Sequence, residues 1–195
     1  MQAMSLEQTV APSVEPVTTT TQKDWMRVDT SDEDTLIGNL AAASRAYFEM
    51  TTSRQCITAT WVYKFSVFPA TGDLILPISP LQSVTSIQYV DTAGDTQTWS
   101  SGLYTVDTAS DIGRVRPIYD EDYPSSRGYD GDVTVTFIAG YGDAASDVPD
   151  GALTAIQLLA SNWFENRESN AAISLSEVPM ALQTLIWQFK DGTVA

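Results

Sequence analysis

Histidine is absent from this chain, and cysteine occurs once, at position 56. The first absence removes histidine-based catalytic triads and most zinc sites; the second removes intramolecular disulfides and paired redox thiols. Positive charge is also scarce, with 10 Lys and Arg against 25 Asp and Glu, a formal charge of −15 over 195 residues. So negative a surface repels phosphate and disfavours gripping of nucleic acid by its backbone, although DNA can still slide past an acidic wall. Long apolar runs are missing too. No stretch approaches the roughly 20 apolar residues that cross a bilayer, and the opening MQAMSLEQTVAPSVEPV lacks a basic segment followed by an apolar one. These absences imply a soluble protein of a reducing cytoplasm, without a membrane partner, in which Cys56 is most simply a small packed side chain.

What is present is a strong helical stretch near the end of the chain. Over residues 147–168, Leu153, Ile156, Leu159, Ala160, Trp163 and Phe164 recur at three- and four-residue spacing, the mark of a helix with one covered stripe. Asp147 and Asp150 favour its positive end, Pro149 suits the first turn, and Arg167 answers the dipole at the other end. The polar exit, Glu165, Asn166, Arg167 and Glu168, is a candidate polar interface.

The remaining chain falls into blocks. Residues 1–15 are polar and aperiodic and are expected to form a flexible arm. Residues 18–26 read as a marginal helix, because a run of four threonines favours strands and caps. A stronger helix is expected over 32–51, capped by Thr30 or Ser31, with Leu36, Ile37, Leu40, Ala41, Tyr47 and Phe48 as its stripe. The period then drops to two over 57–68, and short strands are expected at 74–76, 84–90, 96–99, 104–106, 113–116 and 133–138. A last helix starts near Pro179, with Leu182, Leu185, Ile186 and Phe189 as its stripe and Trp187 off it. Neither helical block can bury its stripe alone. The expected fold is therefore α+β, a small helical bundle from both chain ends (16–54 and 143–195) with an inserted antiparallel β region at 55–142.

Few residues suggest chemistry. Asp120, Glu121, Asp122, Asp130 and Asp132 supply oxygens of the kind calcium takes, but their spacing fits no EF-hand loop, so no metal is expected. Gly140-Tyr141-Gly142 lacks the Lys and Ser or Thr of a phosphate loop and is read as a turn from strand to helix. No catalytic residue and no cofactor site can be nominated.

Several segments, in their order and spacing, resemble the head–tail connector (adaptor) family of long-tailed phages and phage-like gene transfer agents. They are EPVT at 15–18, RVD at 27–29, DEDTLIGNLAAASRAYFE at 32–49, LPISPLQSVTSIQYVD at 76–91, FIAGYGDAASDVP at 137–149 and NWFENRE at 162–168, spanning about 14–190. The threonines at 18–21 depart from the family, which usually shows a better helix former and an acidic residue there. The resemblance implies a helical bundle with an inserted loop or β region, and a non-enzymatic virion protein. It further implies a ring of about twelve copies in the neck, joining the portal to a stopper or tail-completion protein, with DNA passing through the lumen without sequence-specific binding. Before assembly the protein would sit in the host cytoplasm. The C-terminal segment would dock on the portal, which makes Trp187, Lys190, Thr193, Val194 and Ala195 candidate contacts. The competing expectation is an acidic binding module or hydrolase acting on glycans through the β region.

Overall fold

The computed structural model describes residues 3–166 and 180–190. Arg167 and Glu168, and Thr193, Val194 and Ala195, lie outside the described residues. The architecture is α+β, with helices and two antiparallel sheets divided between two compact units. One unit contains Met1–Pro12 and Thr58–Tyr141; the other contains Ser13–Ile57 and Gly142–Ala195.

The first unit is all β. Its larger sheet runs in the order β1-β2-β8-β4-β5, where β1 is Ala3–Val10, β2 Ala59–Phe65, β4 Leu81–Val90, β5 Thr96–Thr98 and β8 Val133–Ala139. In β8 alternate residues Val133, Val135, Phe137 and Ala139 are buried, the period-two pattern that fixes which face meets the core. Its partner β2 matches it residue for residue, Ala59 opposite Ala139 and Phe65 opposite Val133. The smaller sheet is β3-β7-β6, made of Leu74–Ile75 (β3), Tyr104–Asp107 (β6) and Arg114–Pro117 (β7). Leu74, Tyr104 and Val115 from this sheet join Phe65, Ile87, Val135 and Phe137 from the other in one core. Phe68 fills its middle, with ring centroids 5.6 Å from Trp99 and 5.4 Å from Tyr123. Gly113 is required there, because a Cβ would collide with the Leu81 side chain.

Two expectations change in this unit. Residues 3–10, expected to belong to a flexible arm, form β1, which pairs antiparallel with β2, Leu6 opposite Tyr63 and Gln8 opposite Trp61. The signal was weak because every position from 5 to 10 is exposed, so no alternation of apolar and polar residues marks the strand. The period-two stretch expected over 57–68 stops short: β2 ends at Phe65, so Val67 is exposed and Phe68 takes the core position.

The second unit is helical: α1 Thr19–Met26, α2 Asp34–Thr52, α3 Asp150–Glu165 and α4 Met180–Trp187. The threonine run turns out to start α1. Thr18 is its N-cap, and its Oγ1 accepts a hydrogen bond from the Thr21 N–H at 3.1 Å. Gln22 is fully buried and donates to Gln157 O (3.2 Å) and Ser161 Oγ (3.1 Å), tying α1 to α3. Helix α2 buries Ile37, Ala41, Ser44, Phe48 and Thr52. It starts two residues later than expected, with Glu33 at the cap and no side-chain cap bond; Asp34 instead pairs with Lys23 of α1 at 2.5 Å. Leu36, expected in the stripe, is partly exposed.

Helix α3 buries Ala152, Ala155, Ile156, Leu159 and Ala160, small residues for the most part, which lets neighbouring helices approach closely. It is shorter than expected. Residues 145–147 form a separate 3-10 turn held by the Ala144 N–H donating to Asp147 Oδ2 (2.9 Å), and Pro149 is the cap rather than the first turn. Trp163 is only half-buried, its ring edge-on to Tyr47 at 6.1 Å. Gly142 has no room for a Cβ, which would overlap Asp147.

Candidate partner surfaces

Helix α4 is anchored by one face. Leu182 and Ile186 are buried, and Phe189 just beyond the helix packs edge-on against Phe48 at 5.5 Å. The Phe189 carbonyl accepts a hydrogen bond from Arg54 Nε at 2.6 Å. These contacts fix the rotation of α4 and turn Trp187 outward, where it stays 67% exposed. Lys190 Nζ lies 5.3 Å from the centre of its ring, a cation–π contact that at an exposed site contributes roughly 0.5–1 kcal/mol. An exposed tryptophan on an anchored helix end has the properties of an interface anchor.

The polar exit of α3 divides. Asn166 is used to close the helix: its backbone N–H and its Nδ2 both donate to Asn162 O, at 3.1 and 2.9 Å. Glu165 is exposed and lines a groove of about 530 Å³. The apolar walls of that groove are Trp25, Met26, Leu158, Phe164 and Leu182, and Arg27 supplies its positive charge. The sequence reading missed this groove. Leu158 falls beside the α3 stripe rather than on it, and the end of a short polar helix gave no reason to pair Trp25 and Met26 with it. Neither Trp187 nor Lys190 is among its lining residues.

Buried charge in the helical unit is satisfied internally. Arg45 Nε and an Arg45 amino group grip Glu15 at 2.7 and 3.1 Å, and the other amino group reaches Glu49 at 2.6 Å. Glu49 also accepts from Gln55 Nε2 (2.8 Å) and the Cys56 N–H (3.0 Å). Burial pushes the Glu49 carboxyl up from its ordinary value, against the pull of Arg45 and the Cys56 N–H. The Cys56 thiol is fully buried, and burial, with the Glu49 carboxylate adding to it, raises it far above the ordinary thiol range. It is a packed residue rather than a reactive one.

The acidic loop of the β unit does not converge on a point. Asp120, Glu121, Asp122 and Asp130 are exposed, whereas Asp132 is buried and bound to Arg127 at 2.7 Å and to the Tyr129 N–H at 2.7 Å. The hydrogen bond from Arg127 holds the Asp132 carboxyl below the usual carboxylate range. Among the described residues no three acidic, cysteine or histidine side chains are placed to share a metal ion, and no helix is long and apolar enough to cross a membrane.

Fold comparison places this arrangement. A chain from the virion of a native gene transfer agent (GTA) particle superposes with a TM-score of 0.79 at 23% identity, covering 96% of this chain and 95% of that one. This is the fold of a GTA particle chain. A chain from the neck of an empty GTA particle, computed with C6 symmetry, gives 0.77 at 25% identity with the same coverage. A third, from the neck of a native GTA particle computed with C12 symmetry, gives 0.73 at 21% identity. No protein-family model and no curated protein matches the sequence.

Proposed function

We propose that this chain is a structural component of a virion-like neck, a head–tail connector that works by binding and not by catalysis. The observation that carries the reading is the match to a neck chain over 96% of this chain and 95% of that one, so that both units, not a shared fragment, are accounted for. In this reading about twelve copies form a ring below the portal, join it to a stopper or tail-completion protein, and surround the channel through which DNA passes. The charge of −15 fits a lumen that must not hold phosphate, since an acidic wall repels the backbone and lets it slide.

The portal contact is assigned to Trp187 and Lys190, with Thr193, Val194 and Ala195 following in the sequence. Trp187 is exposed at the end of a helix whose other face is anchored, so it can enter a pocket on a partner without disturbing the bundle. Glu165, with Arg167 and Glu168 beyond it, is assigned to a second polar contact.

Removing the protein from a particle-producing cell tests the reading. The expected outcome is filled heads that lack tails, restored by supplying the chain in trans. Complete, tailed particles in its absence would rule the reading out.

A further inference from the structure

The two edges of the larger sheet differ, and the difference points to a use. At one edge β5 is three residues long, a blunted edge of the kind that discourages further pairing. At the other, β1 runs for eight residues, roughly 26 Å of strand, and among the described residues it pairs with β2 alone. Each residue from 5 to 10 is exposed, including Leu6 at 38% and Val10 at 58%. Natural proteins block such an edge with lysine, proline, bulges or a cover. This strand has neither lysine, arginine nor proline, and a single charge, Glu7. Its two register irregularities lie at its ends, between Ala3 and Ser5 and between Gln8 and Val10, so residues 5–8 pair without interruption with Lys64, Tyr63, Val62 and Trp61 and the strand stays straight between them.

We propose that the open edge of β1, with Leu6 and Val10, is the surface on which a second copy of this chain docks, an inference that rests on the ring reading above. A closed ring of more than two copies needs a heterologous contact, in which one patch meets a different patch on the next copy. Pairing of β1 with another β1 is self-complementary and stops at a dimer. The edge of β1 therefore meets a surface of the neighbour that lies outside residues 3–10, and backbone pairing with apolar side chains on either side supplies the contact. The low charge of the strand suits this occupant: two copies carrying −15 each approach most easily through a segment with one carboxylate.

The test uses the full chain assembled on its portal. Glu7→Cys, coupled to a benzophenone maleimide, places a photo-probe on β1; the buried Cys56 thiol is expected to stay unlabelled. Irradiation should join one copy to the next, through a peptide outside residues 3–10 of the neighbour. In parallel, the double variant Leu6→Lys, Val10→Lys should lower ring occupancy on the portal at least tenfold, with an unchanged thermal midpoint. A normal ring from the double variant, or a probe that reaches only the portal, only the stopper, only another β1 or nothing, overturns the inference and leaves the ring reading standing. If the native chain forms no ring on the portal, the ring reading fails and takes this inference with it. Should the double variant not fold, the cross-link alone decides.

Discussion

The β unit gathers aromatic rings in its core, whereas the helical unit buries alanines among aliphatic side chains and leaves Trp25 and Trp187 exposed at its helix ends. Between the sheets Phe65, Phe68, Trp99, Tyr104 and Phe137 form a continuous aromatic core. Between the helices Ala41, Ser44, Ala152, Ala155 and Ala160 are the buried residues beside Ile37, Phe48, Ile156 and Leu159. Trp25, 46% exposed, and Trp187 stand outside. The β unit also exposes Tyr119 and Tyr129, but these lie in loops, where holding a side chain in place costs more conformational entropy than on a helix end. The two units thus answer different demands. One core is built on stacked and tilted rings, and the other is a close-packed helical frame that leaves tryptophans facing outward at its helix ends.

The largest expected effect tests the first half of this contrast. Phe137→Ala removes a fully buried ring from the middle of β8 and should cost about 3–5 kcal/mol in urea unfolding. A cost below about 1 kcal/mol would mean the sheets do not depend on that core. Next comes Ala155→Leu, an overpacking change at a fully buried site of α3. It should cost roughly 1–3 kcal/mol, whereas a stabilising result would show spare room between the helices.

Smaller still is an acid effect confined to the β unit. Because Arg127 holds the Asp132 carboxyl below its ordinary value, the stability it supplies is complete above the usual carboxylate range and is lost as the pH falls through the depressed value. Amides of β4 and β8 next to this loop, where the Val90 N–H donates to Asp132 O at 2.9 Å, should lose exchange protection on acidification. Asp132→Asn should flatten that dependence; an unchanged slope would show that another group sets it. The least effect on stability is expected from Trp187→Ser, within about 1 kcal/mol, because the ring is exposed and its cation–π contact with Lys190 is weak. Its consequence should appear only in portal binding, and a variant that binds normally would remove Trp187 from the contact.

How far the sequence could be read depended on burial. Where a face is buried, period and face were both legible: β8 and the α3 stripe were expected near where they lie, because Val135, Phe137, Ile156 and Leu159 have only one place to go. Where nothing is buried, the signal vanished. Strand β1 gave no alternation since neither face is covered, and it read as an arm. The threonines that open α1 made 18–26 read as only a marginal helix because propensity counts them singly, while Thr18 acts on the Thr21 N–H as a cap. The off-stripe position of Trp187 was visible from helical spacing alone, whereas the groove beside Leu158 was not, since it needs Trp25 and Leu182 from distant parts of the chain.

Cryo-electron microscopy of purified portal mixed with this chain tests the central claim most directly. The account expects a second ring of about twelve copies stacked on one end of the portal, with an open central channel wide enough for duplex DNA. Bare portal rings beside free monomer, at concentrations where the portal is saturated with chain, would contradict it.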